Sequence, residues 1–384
     1  MKERVSIGNI CKFAGAFVAC AIGSGFATGQ EIMQFFSAHG VMSIPGTLVT
    51  TVVFAWVGSM FMKHGFEQQL KEPGDIVPYY VGKKFGTIFQ IILQIFLYGV
   101  FVIMIAGAGA TLSEYFGLNP MIGRIGMAAL AFVTVILGLT KVTDILGTLG
   151  VVIIICSVGI GAAAFLTNAD HLSASLSSIP ALGMTKTQGG WLGSAILYPA
   201  FNAIVVIILA SSIGKGASSA KEASLGGLIG GALFGIAVIL MNLGITANIG
   251  ELYEKAVPTL VLAQQFSPIF GVLFSVIICC GIYTTTVPML WGVVRQFADD
   301  GTKKFVLIAL GLTAFGLVLG MTDFKVLVNI IYPFSGYLGV ILFGFVAYRE
   351  ISKKRDKRAG ESQSQKQEEV VETEKTLWEN TKIS

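Results

Sequence analysis

Charged side chains are scarce in this chain of 384 residues, where Asp, Glu, Lys and Arg together make up 12%. A soluble globular domain has about 25% charged residues, so the composition excludes an ordinary soluble protein. The sequence is instead apolar, with 54% hydrophobic residues and a mean hydropathy of +0.77. We predict an all-α membrane protein that crosses the bilayer many times.

Residues that carry enzymatic chemistry are also few. The three histidines are far apart and lack metal-ligand spacing, and the sequence shows no Ser/His/Asp set. The five cysteines lie in or beside apolar runs, where an odd number argues against a disulfide framework. The glycines from Gly23 to Gly29 follow no strand and lack the lysine of a phosphate loop. We predict a protein that is not an enzyme, with no cofactor and no nucleic-acid partner.

Long apolar runs define the organisation of the chain, because a spanning helix needs about 20 apolar residues. The first run is long and lacks a small-residue cleavage site, so we expect it to be retained as the first helix. About ten candidate spans are present, at residues 8–36 (interrupted), 42–62, 86–112, 122–140, 145–166, 191–213, 224–247, 267–291, 304–321 and 325–348.

The distribution of basic residues supports ten spans, which put both termini on the same side of the membrane. If that side is the cytosol, the external loops hold only Arg124, Lys186, Lys255 and Lys325, and the other 22 of 26 basic residues are internal. Positive charge collects on the cytoplasmic side of membrane proteins. We predict a multi-pass protein of the bacterial plasma membrane with both termini in the cytoplasm.

The predicted helices divide into two equal halves. Residues 1–166 hold helices 1–5, residues 167–190 form a polar external loop, and residues 191–348 hold helices 6–10. An odd number of spans per half inserts the halves in opposite senses, as in inverted-repeat transporters. Within the second half, residues 248–266 are predicted as an external amphipathic hairpin, either a lid or a plain connector. Residues 349–384 are predicted as a basic cytoplasmic stretch followed by a disordered tail.

Glycine interrupts the first helix at its centre, where Gly23 and Gly25 follow Ala21 and Ile22. Each glycine costs about 1 kcal/mol of helix propensity. Unwound backbone survives within a membrane only inside protein or beside a wet cavity. The interruption therefore predicts a binding site near mid-membrane.

The sixth helix contains Pro199, which lacks a backbone donor. Tyr198 and Asn202 are four residues apart and share one helix face. This pattern predicts a discontinuous helix that lines the site, with a kinked packing helix as the alternative.

Three threonines follow Gly281 in the eighth helix, namely Thr284, Thr285 and Thr286. Their hydroxyls either bond to the preceding turn or present oxygen ligands to a hard cation. The pattern by itself leaves both interpretations open.

Together these motifs resemble the amino acid–polyamine–organocation (APC) superfamily of transporters with the LeuT-type fold. Residues 19–25 resemble its unwound first helix, and residues 40–45 resemble the glycine-to-proline entry of its second helix. Residues 192–211 are similar to its sixth helix, and residues 281–285 to the sodium motif of its eighth. The chain as a whole also resembles the YkvI-like bacterial membrane proteins. The resemblance covers residues 8–348.

This resemblance implies a 5+5 inverted repeat in which helices 1 and 6 are broken at the substrate. Exposed amides at a half-helix N-terminus would meet a substrate carboxylate. The substrate-binding residues that it implies are Ala21, Gly23, Ser24, Gly25, Phe26, Tyr98, Leu197, Tyr198, Ala200, Phe201 and Asn202. The ligands that it implies for a coupling sodium ion are Ala19, Ile22, Gly281, Thr284 and Thr285.

The chain also departs from that family. Phe26 and Tyr198 replace residues of the second sodium site, which argues against a second ion. Gly29 stands where the family has an outer-gate arginine. Glu31 is a candidate for the gate or for a coupling proton, and its alternative is a solvated position in the outer interface.

The leading hypothesis is a sodium-coupled secondary transporter of a small amino acid or related zwitterion. One alternative keeps the fold but couples a proton to another small solute, such as a nucleobase or an amine. A second alternative is a membrane receptor or sensor that binds without transport. The expected partners are a small solute and the lipid bilayer.

Overall fold

A computed structural model describes residues 5–70, 73–138 and 143–383, and all regular secondary structure within these ranges is helical. Short 3-10 helices at Ser37–Met42, Pro73–Asp75, Ala169–His171 and Ile179–Ala181 connect some of the α-helices. The α-helices are α1 (Ile7–Ala21), α2 (Ser24–Thr28), α3 (Gln30–Phe35), α4 (Ser43–Gln68), α5 (Ile76–Val81), α6 (Lys83–Phe116), α7 (Pro120–Leu137), α8 (Thr143–Thr167), α9 (Leu172–Ser178), α10 (Gly190–Lys215), α11 (Ala220–Ala247), α12 (Ile249–Leu252), α13 (Pro258–Phe266), α14 (Pro268–Val294), α15 (Lys303–Leu319) and α16 (Phe324–Ile383).

By length and composition, seven helices in the described ranges are able to cross a membrane, or eight if one bent pair counts as a span. That pair is Val151–Thr167 with Ala169–Ala181, bent by 71°. The first predicted span is divided among α1, α2 and α3, and α15 has 17 residues. The count is lower than the predicted ten because these two segments are short or interrupted, although each predicted span contains a helix.

Several of the helix contacts recur when the two halves are exchanged. α4 packs on α11, α6 on α14 and α7 on α15, and each pair joins a helix to its counterpart in the other half. The contact of α1 with α11 has its counterpart in the contact of α10 with α4. This pattern is expected of inverted repeats related by a pseudo-two-fold axis. It also brings α1 against α10.

Glycine permits the close contact between α4 and α11. A Cβ on Gly58 would lie 2.2 Å from the carbonyl oxygen of Gly227, and a Cβ on Gly227 would lie 2.0 Å from that of Gly58. Small residues allow such approach between helices within a membrane. The contact leaves no room for a side chain at either glycine. α1 packs against α11 of this pair, and α10 packs against α4.

The sixth predicted span differs from its prediction because it is one continuous helix. α10 runs through Pro199 without a break. A proline at this position cannot donate to the carbonyl of Ala195, four residues earlier. The Thr50 hydroxyl of α4 donates to that carbonyl at 2.7 Å instead. Since a neighbouring helix satisfies the freed carbonyl, the helix continues through the proline.

The last helix is longer than predicted. α16 extends to Ile383 and includes residues 360–383, which the composition had indicated as a disordered tail. Glu, Gln and Lys are frequent in this stretch, and all three have high helix propensity. A composition that cannot build a hydrophobic core is still compatible with a single helix.

Candidate functional site

The first helix is broken where glycine interrupts the sequence, as predicted. α1 ends at Ala21 and α2 begins at Ser24, and the two residues between them have extended backbone, with φ/ψ of −84°/109° and −101°/176°. Among the described residues, the amides of residues 23–25 and the carbonyls of residues 19–22 have no hydrogen-bond partner. Free amides at a helix start attract anions, and free carbonyls at a helix end attract cations.

A second turn interrupts this segment at Gly29, whose φ of 76° is strained for a residue with a side chain. α13 packs against the turn, and the Thr259 hydroxyl donates to the carbonyl of Ala27 at 2.6 Å. A Cβ on Gly29 would lie 2.8 Å from Cγ2 of Thr259. Segment 248–266 therefore folds over the broken helix, which favours the lid over the plain connector.

A cavity of about 360 Å³ lies beside the first break. This volume suits a small organic solute. The lining consists of the break itself, faces of α6, α10 and α14, and one residue each from α3 and α16. The predicted site residues that line it are Ala19, Ala21, Ile22, Gly23, Ser24, Gly25, Glu31, Phe201, Asn202, Thr284 and Thr285. The other lining residues are Cys20, Phe96, Val100, Met104, Val205, Val206, Leu209, Pro288, Met289 and Tyr332.

Glu31 is the only charged side chain that lines this cavity among the described residues. It is 5% exposed, so it does not occupy the solvated interface position considered above. The Tyr198 hydroxyl donates to its Oε2 at 3.4 Å, and the Tyr332 hydroxyl lies beside the carboxyl group, next to Gly25. A Cβ on Gly25 would lie 1.6 Å from Oε1, so the carboxyl group rests directly on the backbone of the break.

Tyr98 lies outside the cavity, unlike its prediction. Its hydroxyl donates to the carbonyl of Leu312 at 2.8 Å, and its ring lies between α6 and α15. α6 presents Phe96, Val100 and Met104 to the cavity instead, at a spacing of four residues. Because two residues are about half a helical turn, Tyr98 is on the opposite face of α6.

Four other predicted residues surround the cavity without lining it. Phe26 packs on Phe234 of α11, with ring centroids 5.7 Å apart. Leu197 and Ala200 lie against α16. Tyr198 reaches the site only through its hydroxyl group on Glu31. These residues support the cavity wall, and we no longer expect them to touch a solute.

The predicted sodium ligands converge on one side of the cavity. All of them except Gly281 line it. The hydroxyls of Thr284 and Thr285 donate to the carbonyl of Gly281 at 2.8 and 3.1 Å, so they do bond to the preceding turn. Ser24 Oγ donates to the Thr285 hydroxyl at 3.1 Å. The Gly281 carbonyl already accepts two bonds, which leaves the threonine oxygens and the carbonyls of residues 19–22 for a cation.

Two lining residues that the sequence analysis did not select make specific contacts. Tyr332 stacks on Phe201, with ring centroids 4.6 Å apart and an angle of 8° between the planes. Met104 Sδ lies 2.6 Å from the Ser24 hydroxyl oxygen, whose single proton is donated to Thr285. The four-residue apolar spacing along α6 was the available signal for Met104, whereas nothing in the sequence around Tyr332 distinguishes it.

The cavity extends toward one face of the molecule. We call this the N-terminal face, since α1 begins there and α4, α10 and α14 end there. Val205 and Leu209 line the cavity from the half of α10 near that face. Toward the opposite face, Phe35 and Phe36 pack on Tyr198 with ring centroids 5.4 and 5.1 Å apart. The lining thus extends toward the N-terminal face, and packed aromatic rings lie on the side toward the opposite face.

Comparisons with known sequences find similar proteins along most of the chain. Two proteins of Bacillus subtilis (strain 168) are similar to it. The uncharacterized membrane protein YkvI is 24% identical over 352 residues, which are 91% of this chain and 99% of YkvI. The uncharacterized protein YyaD is 26% identical over 324 residues, which are 84% of this chain and 91% of YyaD. No protein-family model matches the chain.

Solved structures identify the fold. A mutant of the Eremococcus coleocola manganese transporter matches with a TM-score of 0.51 and 12% identity, covering 88% of this chain and 77% of that one. A second mutant matches with a TM-score of 0.50 at the same identity and coverage. The chain has a LeuT-type fold. Together with the apolar helices and the similarity to YkvI, this fold makes it a multi-pass membrane protein.

Proposed function

We propose that this protein is a secondary transporter that moves a small amino acid or related zwitterion by alternating access. The observation that carries this proposal is the cavity at the first-helix break, which is lined by the backbone of the unpaired amides and by a buried carboxyl group close to them. The amides of residues 23–25 bind the solute carboxylate. The Glu31 carboxylate and the Tyr332 hydroxyl accept hydrogen bonds from its ammonium group. The apolar faces of α6 and α10 enclose its body.

The coupling ion in this proposal is sodium. A hard cation prefers oxygen ligands, and the carbonyls of residues 19–22 with the hydroxyls of Thr284 and Thr285 supply them at the cavity. The bond from Ser24 to Thr285 links this cation site to the amides that bind the solute. Binding of sodium therefore orders backbone that the solute needs, and binding of the solute orders backbone that sodium needs. This gives the two sites a physical basis for coupling.

The likeness to a solved transporter supports a carrier rather than a membrane enzyme. That neighbour is a manganese transporter by name, and among the described residues of this chain no three His, Cys, Asp or Glu side chains group as metal ligands. We propose an organic solute because the wall beyond Glu31 consists mainly of aliphatic and aromatic side chains. By its sequence motifs we assign the chain to the APC superfamily.

We further propose that the protein lies in the bacterial plasma membrane with both termini in the cytoplasm, as the basic residues indicate. The N-terminal face is then the cytoplasmic face. In that orientation the structure represents an inward-open state, with α13 closed over the external side of the broken helix.

The test is the thermal stability of the detergent-purified protein across an amino acid library, in sodium or in choline. A ligand at 100 times its Kd adds about 2.7 kcal/mol to the free energy of unfolding. We expect one group of amino acids to raise the unfolding temperature in sodium only. The Thr285→Ala variant should lose this shift. Thr286→Ala is the matched control, because Thr286 is buried, donates to the carbonyl of Ile282 and does not line the cavity.

Counterflow of the same amino acid into proteoliposomes then separates a transporter from a sensor. Equal stability shifts in sodium and choline would contradict sodium coupling. A library without any shift would contradict the substrate class. Binding without counterflow would favour the receptor alternative.

A further inference from the structure

The carboxyl group of Glu31 is buried without a positive partner. No ion pair involving it is present among the described residues. The Tyr198 hydroxyl donates to it, and the Tyr332 hydroxyl lies beside it. The contact with Gly25 holds the carboxyl group against the unwound backbone, at the place where a solute would bind.

The groups around Glu31 are almost all neutral. The titratable groups on the elements packed against it are Tyr198 on α10, Tyr332 on α16, Cys20 on α1 and His39 in the 3-10 segment, whose ring bonds to Ser194. α2, α6 and α14 contribute serine, methionine and threonine to the cavity. The basic residue Lys325, at the start of α16, donates from Nζ to the carbonyl of Glu254. This contact lies toward the face opposite the N-terminal face.

An isolated carboxylate in such surroundings is unfavourable, because the charge has lost water without gaining a counter-charge. The hydrogen bond from the Tyr198 hydroxyl compensates for part of that loss. The remainder is relieved either by a proton on the carboxyl group or by a cation beside it. A solute ammonium group is such a cation. Asn202 lines the same cavity, and its Oδ1 has no bond among the described residues and is a further acceptor.

We propose that a proton and the ammonium group of the solute are mutually exclusive ligands of Glu31, so that each solute bound displaces one proton. The neutral carboxylic acid loses its O–H proton to cavity water, and the resulting carboxylate pairs with the incoming ammonium group. The carboxyl group itself is compensated in both states, first by the proton and then by the ammonium group. This inference rests on the proposed function in that the solute binds in this cavity, and it makes the ammonium group the obligatory feature of the solute.

Three probes with one apolar body separate the roles of the two solute charges. Leucine has both charges, 3-methylbutylamine has only the ammonium group, and 4-methylpentanoate has only the carboxylate. The measurement is infrared difference spectroscopy of the purified wild-type protein, together with proton release followed by a pH dye. Glu31→Gln keeps the shape of the side chain but cannot ionise, and Glu251→Gln makes the same change at an exposed glutamate outside the cavity.

We expect the ligand-free protein to show a protonated-carboxyl band that is absent in Glu31→Gln and present in Glu251→Gln. Leucine and 3-methylbutylamine should remove the band and release about one proton per site, whereas 4-methylpentanoate should do neither. Displacement of one proton also makes the apparent Kd of the amine fall about tenfold for each unit of rising pH. The Glu31→Gln variant should lose this pH dependence and bind the amine at least about tenfold more weakly.

The inference is overturned if no band depends on Glu31 at any pH where the protein is folded. It is also overturned if saturating amine leaves both the band and the unfolding temperature unchanged. These outcomes are distinct from failure of the proposed function. Sodium-dependent counterflow without proton release would refute the exchange and leave the transporter intact. Proton release on amine binding without any counterflow would support the exchange and refute the transporter.

Discussion

Gly23 and Gly25 lie two residues apart in the same break but have different surroundings. A Cβ on Gly23 would meet no atom within 4 Å, whereas a Cβ on Gly25 would overlap the Glu31 carboxyl group. Both glycines lower helix propensity, and only Gly25 is also required for the position of the carboxyl group. The sequence pattern alone made them equivalent, because the fold brings Glu31 back onto the chain six residues earlier.

We predict that Gly25→Ala displaces the Glu31 carboxyl group and lowers solute affinity by at least about tenfold, or about 1.4 kcal/mol. The thermal stability should change little, because the displaced group is the end of a flexible side chain. Gly23→Ala is the control and should bind like the wild type, since it keeps the backbone amide and meets no obstacle. Isothermal titration with the same solute measures both variants, and equal losses in the two would contradict the assignment.

A second prediction concerns Tyr98, which the family resemblance assigned to the site and the structure assigns to the contact with α15. Tyr98→Phe removes the hydrogen bond to the Leu312 carbonyl, which typically contributes about 1 kcal/mol to stability. We expect a lower unfolding temperature and an unchanged Kd for solute. A change in Kd of about tenfold or more would indicate that Tyr98 contacts the solute after all.

At the scale of single helices, the two interrupted spans show what a local pattern determines. The first helix is interrupted at its glycines because the end of α1 and the start of α2 both lie beside a cavity, where unpaired backbone groups are tolerated. Pro199 left α10 unbroken because Thr50 of another helix donates to the carbonyl that the proline freed. The two sequence signals were similar, and the outcome depended on a partner about 150 residues away.

This explanation predicts a non-additive pair of substitutions. Thr50→Val leaves the Ala195 carbonyl without a donor inside the bundle and should destabilise the protein by about 1–3 kcal/mol. Pro199→Ala restores a backbone N–H to that carbonyl. In the Pro199→Ala background, therefore, Thr50→Val should cost much less. Thermal unfolding of the four proteins of the cycle gives the coupling energy, and additive effects would show that Thr50 does not replace the missing donor.

At the scale of the whole molecule, the cavity lining extends along α10 toward the N-terminal face and includes Cys20. We predict that a variant with only this cysteine, the other four being replaced by serine, reacts faster with a membrane-impermeant thiol reagent from the N-terminal face than from the opposite face. Bound solute should slow the reaction, because it occupies the same cavity. Glu31→Gln in this background should remove the protection without changing the rate measured in the absence of solute. Equal rates from the two faces would contradict one-sided access to the cavity.

The lid and the repeat pattern also belong to this scale. Hydropathy located the spans and predicted the inverted halves, and the recurring helix contacts and the solved neighbour agree with them. Polarity left open whether residues 248–266 form a lid. The contact of Thr259 with the broken helix favours the lid, and no local property of the segment predicts a partner so distant in sequence.

The sequence by itself determined the membrane class, the approximate spans, the break at Gly23 to Gly25 and most of the residues that line the cavity. The class, the spans and the break follow from hydrophobic length and backbone propensity, which act locally, whereas the family resemblance implied most of the predicted lining residues. Only the tertiary structure decided that Tyr98 faces away, that Tyr332 joins the site and that Glu31 is buried without a counter-charge. Those outcomes depend on how whole helices rotate against one another, and that rotation is set by packing among residues far apart in the chain.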